Sequence, residues 1–161
     1  MRDLIRRAGP IQLKPRRLPP FQSLVHSIIH QQLSGASAGA ILKRFHSLFA
    51  AADFPSPEEV LRLDGDQLRS AGLSRPKATY IHDVARQTLA GIVPSLTECD
   101  RLSDAEIIDR LTAIKGVGCW TVQMLLIFNL GRPDVLPGDD LGGRRGFQNA
   151  YRKRNQPAPK S

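Results

Sequence analysis

The chain has 161 residues, 41% of them hydrophobic and 24% charged, which suits one compact domain with a buried core and excludes general disorder. Its 23 Lys and Arg against 15 Asp and Glu leave a formal net charge of +8, which suits a polyanionic partner. Nucleic acid is the first candidate for that partner and an anionic membrane surface the second.

After the proline-rich "KPRRLPP", Phe21, Leu24, Val25, Ile28 and Ile29 recur at helical spacing with Pro20 fitting the first turn, which predicts a helix ending near "HQQLSG". Ala40, Ile41, Phe45, Leu48 and Phe49 mark the next helix. In "SPEEVLRL", Ser56 and Glu59 form a capping box with Pro57 at the first helical position. "DGDQLRSAG" reads as a further short helix closed by Gly72. "SRPKATYIHDVARQTLAG" gives a longer one, with Tyr80, Ile81, Val84, Ala85 and Leu89 on one side and Gly91 as its stop. Ser103 and Glu106 form a second capping box, so a helix is predicted from about Asp104 to Ala113. The helix from Trp120 to Leu130 is apolar nearly all round and is expected to be buried. Strand signals are almost absent, so the expected class is all-α.

Cys99 and Cys119 alone cannot build a disulfide framework or a four-cysteine metal or iron–sulfur site, and cytosolic thiols are the simplest reading. The first twenty residues assemble no apolar signal core, and no apolar run approaches the roughly 18–20 residues of a membrane span. The expectation is a soluble, intracellular protein, cytoplasmic and nucleoid-associated if bacterial, with no membrane partner. Much of the positive charge lies in "MRDLIRRAGPIQLKPRR" and "GGRRGFQNAYRKRNQPAPK", which read either as solvated tails or as phosphate contacts.

The stretch "LTAIKGVGCWTVQMLL" makes a helix-hairpin-helix. Gly116 and Gly118 allow positive φ and the close approach of another backbone, and the first-turn amides of the second helix lack partners. Those amides and the helix dipole can hold a DNA phosphate, a contact that fixes register and reads no sequence. Standing alone, the same glycines are an ordinary turn. Asp139 and Asp140 follow in "RPDVLPGDD", where two prolines and a glycine predict a rigid loop that presents a carboxylate. Either acid can instead cap the helix beginning at "LGGRRGFQNAY", and both roles can coexist.

With "FQSLVHSIIHQQLSGASA" upstream and "DVLPGDDLGGRRGF" downstream, the chain resembles the DNA-3-methyladenine glycosylase II branch of the helix-hairpin-helix DNA glycosylase superfamily, from Phe21 to about Tyr151. The resemblance implies two helical lobes with the active site in the cleft between them, within a single domain spanning residues 1–161. About 21–135 would form the lobe carrying the hairpin, and about 1–20 and 136–161 would contribute to the second. It implies a monomeric, monofunctional enzyme of base excision repair that flips an alkylated purine such as 3-methyladenine out of double-stranded DNA and hydrolyses its N-glycosidic bond.

By the same resemblance the catalytic aspartate falls on Asp140, in the "D-L-G" part of the loop, leaving Asp139 as the capping or loop residue. Its ionised carboxylate would stabilise cationic character on the sugar and orient water. Bifunctional relatives carry a lysine nucleophile two residues after the hairpin's last glycine. Here that position is Trp120, which implies an uncut abasic site and an aromatic wall for a cationic base. Met124 and Gln31 are implied to line the base pocket, and Gln32 to fill the gap in the stack with Ser34 beside it. Without the resemblance, these residues read as core packing and helix-end polar groups. Implied DNA contacts are Lys115, Gly116, Val117, Gly118 and Thr121 of the hairpin, then Arg144 and Arg145. No cofactor is implied beyond a monovalent cation on hairpin carbonyls, and no side-chain metal site is visible.

Two departures stand out. Cys119 occupies a hairpin position where relatives often have a basic or polar residue. Relatives also continue for several helices after "GFQNAY", so the second lobe is expected to be incomplete; the N-terminal β-sheet extension of some relatives is absent too. Two other readings remain open. One is a non-catalytic helix-hairpin-helix DNA-binding protein or inactive shortened glycosylase. The other is a helical protein–protein module whose basic ends only solubilise it, which predicts no salt-dependent DNA binding.

Overall fold

The computed structural model describes residues 6, 9, 13–50 and 54–157. The N-terminal basic stretch therefore lies largely outside the described residues, as do the last four, and the contribution of residues 1–20 to a second lobe can be followed only from Leu13 onward.

The described residues contain nine α-helices and no strand, as the all-α expectation requires. They are α1 (Pro20–His30), α2 (Gly35–His46), α3 (Pro57–Arg62), α4 (Gly65–Ser70), α5 (Arg75–Leu89), α6 (Leu96–Cys99), α7 (Asp104–Thr112), α8 (Cys119–Met124) and α9 (Leu141–Ala150). A π-helical segment, Leu125–Leu130, continues α8. Local chemistry starts most of them: Ser34, Ser56, Asp64, Ser74, Ser95, Ser103 and Asp140 each accept a first-turn amide. The Ser56–Glu59 and Ser103–Glu106 boxes form as expected, and Asp64–Gln67 and Ser95–Glu98 repeat the device. The last of these opens α6, a helix the sequence reading omits.

Helix α1 buries Leu24, Val25, Ile28 and Ile29 completely, and α5 packs against α1, α3 and α4. Phe45 of α2 is fully buried and stacks with Phe49 and Phe54 at ring separations of 5.2 and 6.1 Å. The apolar stripes are narrower than their sequence patterns: Ala40 is exposed while Ala38 takes its place in the core, and Leu89 is exposed at the end of α5. The larger correction concerns Trp120–Leu130. Val122, Leu125 and Leu126 are buried, but Trp120 is 46% and Phe128 45% exposed.

The π segment explains where the chain before α1 goes. Its widened turns present the Phe128 and Asn129 carbonyls to the amides of Arg16 and Arg17 at 3.0 and 3.1 Å. The buried Asn129 amide then pairs with both the N–H and the carbonyl of Leu18 at 2.9 Å. The Arg17 guanidinium grips Asp100 through two bonds of 2.8 and 2.7 Å. Residues 13–18 thus form a strap along the π segment, closed where Gly131, at φ +75°, leaves room for the Pro15 ring. Among the described residues, no helix is long and apolar enough to cross a membrane.

Candidate active site

The turn between α7 and α8 needs its first glycine twice over. Gly116 has φ +80°, and any Cβ there would run into the Tyr80 ring. Gly118 is extended, at φ −93° and ψ 168°, with open space around it. The expectation of positive φ therefore holds for Gly116 and not for Gly118, and what approaches Gly116 closely is an aromatic side chain rather than another backbone. The buried Asp83 fixes the turn by accepting the Lys115 amide at 2.9 Å while holding Arg86 at 3.2 Å.

No side chain caps α8, so its first-turn amides and dipole are left for an anion. Lys115 and Gly118 are exposed beside them. Val117 and Thr121 are only 4% exposed, so at those two positions the main chain rather than the side chain would have to meet any ligand.

Asp140 occupies the N-cap of α9. One of its oxygens accepts the Gly143 amide at 2.7 Å and the other accepts the Trp120 indole N–H at 2.9 Å. This corrects the assignment of the cap to Asp139, which stands exposed in the turn before it. Asp140 caps the helix and bonds the indole at once because its two oxygens point to different donors. The Gly143 amide first, then the indole and the Gly142 amide, hold this carboxyl below its ordinary value of 3.8. A Cβ on Gly142 would lie 3.0 Å from the carboxylate, close enough to press on it.

A cavity of about 500 Å³ opens between α1, the strap and the α8–π helix. Trp120, Met124, Gln31 and Gln32 all line it, so four positions drawn from two distant stretches of sequence converge. The Gln31 side-chain amide donates to the Gly116 carbonyl at 2.9 Å. Gln32 has φ +58°, in the left-handed region that a glutamine rarely adopts. Ser34 stands at the start of α2 as its N-cap, and the Arg144 guanidinium donates to the Pro157 carbonyl at 2.9 Å while Arg145 is exposed.

Arg16, His26 and Phe128 also line the cavity and were not foreseen. Burial, and then the neighbouring His46, His30 and Arg16, push the His26 imidazole down to about 4, so it is neutral near pH 7. Sequence offers a signal for Asp83, an acid among the buried positions of α5, but none for Arg16, which lies in a strap without periodicity.

A hairpin with an uncapped second helix, an indole bonded to a carboxylate at the next helix start, and a cavity beside that indole make this a helix-hairpin-helix protein with a formed cavity next to the hairpin. Residues 25–161 match the family described as HhH-GPD superfamily base excision DNA repair protein, and the chain belongs to that superfamily. It is 43% identical to DNA-3-methyladenine glycosylase 1 of Schizosaccharomyces pombe over 133 residues, 83% of this chain and 58% of the relative. It is 34% identical to the putative DNA-3-methyladenine glycosylase YfjP of Bacillus subtilis over 143 residues, 86% of this chain and 50% of the relative. The chain thus spans between half and two-thirds of the length of these relatives.

Among solved structures, the S. pombe 3-methyladenine DNA glycosylase in complex with abasic DNA superposes with a TM-score of 0.85 at 38% identity, covering 98% of this chain and 78% of that one. The DNA-3-methyladenine glycosidase of Bacillus halodurans gives 0.82 at 42% identity, covering 91% and 66%. The helix-hairpin-helix glycosylase fold expected from the sequence is the fold of this chain.

Proposed function

We propose that this chain is a monofunctional DNA glycosylase of the DNA-3-methyladenine glycosylase II type, acting as a monomer on alkylated purines in duplex DNA. The observation that carries the reading is the Asp140 carboxylate, held ionised and bonded to the indole of Trp120, a residue that lines the cavity. A purine alkylated on a ring nitrogen leaves with the electron pair of its bond to C1′, and positive charge develops on the sugar. A fixed carboxylate lowers the energy of that charge. Water then adds to C1′ and gives its proton to solvent. Because its basicity is depressed, Asp140 is better suited to stabilising the cation than to removing the proton from water. Trp120 offers no amine, so no covalent sugar intermediate forms and the strand stays intact.

In this reading Trp120, Met124 and Gln31 surround the extruded base and Gln32 fills the gap. The uncapped amides of α8, with Lys115, Ser34 and Arg145, meet phosphates. The backbone carbonyls of Lys115 and Val117 accept no hydrogen bond among the described residues, which leaves oxygens suited to a monovalent cation. Such an ion would add positive charge beside the phosphate.

Incubation with duplex carrying methylated purines, followed by chromatography of released bases, tests the reading. Asp140→Asn should lower release by about 10²–10³-fold while sparing DNA affinity. One observation favours the alternative of a DNA-binding protein without excision: α9, which Asp140 caps, buries none of its residues and exposes Leu141 and Phe147. No base released by the unmodified chain from any alkylated duplex, with salt-dependent binding intact, would establish that alternative.

A further inference from the structure

One side of α5 touches both of the turns that the proposed reaction sets against DNA. Lys77, Tyr80 and Asp83 follow one another at three-residue intervals along that helix. The Lys77 ammonium donates to the carbonyls of Ile29 and Gln31 at 2.8 and 2.7 Å, where α1 ends. Tyr80 fills the space a side chain on Gly116 would need. Asp83 accepts the Lys115 amide at 2.9 Å. The Gln31 side chain closes the circuit by donating to the Gly116 carbonyl at 2.9 Å.

What this brace holds is a strained turn. Gln31, at φ −52° and ψ 127°, is followed by Gln32 at φ +58°, and the Leu33 N–H reaches the His30 carbonyl at 3.2 Å. That is a type II turn with glutamine at the position where glycine is favoured. Such a conformation persists only where its surroundings impose it, and here they are a half-buried ammonium bonded to two carbonyls on one side and the hairpin on the other. A turn free to relax to negative φ would swing Gln32 away from the gap left by an extruded base.

We infer that Lys77 is a positioning residue which, with Tyr80 and Asp83, locks the Gln32 turn to the glycine hairpin, so that base extrusion and phosphate holding share one rigid frame. The inference rests on the glycosylase reading. Lys77→Met keeps the aliphatic stem and removes the donors. With 2-aminopurine beside a 7-methylguanine, it should cut both the fluorescence rise on extrusion and the single-turnover release about tenfold, leaving affinity for undamaged duplex unchanged. Lys77→Arg, which can still donate to both carbonyls, should restore most of both signals.

The decisive readout is coupling to Gln32. If Lys77 acts through that side chain, Lys77→Met adds nothing to the loss already caused by Gln32→Ala, whereas a merely structural role gives additive losses. Lys77→Leu, which also removes the donors but packs a shorter stem, should behave the same way and carries the test if Lys77→Met folds poorly. Additive losses, or extrusion equal to that of the unmodified chain, would overturn the inference alone. No base release by the unmodified chain would overturn the glycosylase reading and this inference with it.

Discussion

The Asp140 carboxylate has one oxygen on the main chain of α9 and one on Trp120, and these bonds differ in consequence. The Gly143 amide holds the helix start, whereas the indole ties the carboxylate to a residue that lines the cavity. Because its folded value is depressed, Asp140 favours the folded chain above its ordinary value of 3.8, and that contribution disappears as pH falls through the lower folded value. Base release should therefore stay level through mildly acidic pH. Trp120→Phe keeps an aromatic wall and removes one donor, so the acid limb of the single-turnover profile should move upward toward 3.8. At the hairpin, Gly116→Ala meets both the Tyr80 ring and a left-handed backbone, and should lose about 1–3 kcal/mol or more. Gly118→Ala meets neither and should stay within about 1 kcal/mol. Denaturant unfolding of the two variants side by side checks the contrast. From sequence the glycines were equivalent, because what tells them apart is a tyrosine over thirty residues away.

At the scale of elements, helix starts were the most legible feature. A capping box lies within four residues, so Ser56–Glu59 and Ser103–Glu106 could be found without any tertiary information. Burial was less legible. A stripe such as Tyr80 to Leu89 states which residues are apolar but not how far along the helix its neighbours reach, and Leu89, the last residue of α5, is exposed. The π segment was not legible at all, since its freed carbonyls are matched by a strap more than a hundred residues earlier. Phe45 sits where α2 meets the aromatic cluster of Phe49 and Phe54, so Phe45→Ala should cost about 3–5 kcal/mol, read as a lowered thermal midpoint.

For the molecule as a whole, a net charge of +8 and an uncapped helix at the hairpin lead to one expectation about binding. Affinity for duplex DNA should fall with added salt at a slope of about −0.9 in log–log form for each phosphate neutralised, while a flat response would favour the protein–protein module. Periodicity, caps and turns act over a few positions, so the helical class, most helix starts and the hairpin could be read from the chain alone. It took the packed fold to reveal that Asp140 both caps α9 and accepts the Trp120 indole, that Trp120 lines a cavity, and that α5 ties two distant turns together. Each of those depends on which segments pack side by side, and side-chain reach across such contacts is not encoded in local spacing.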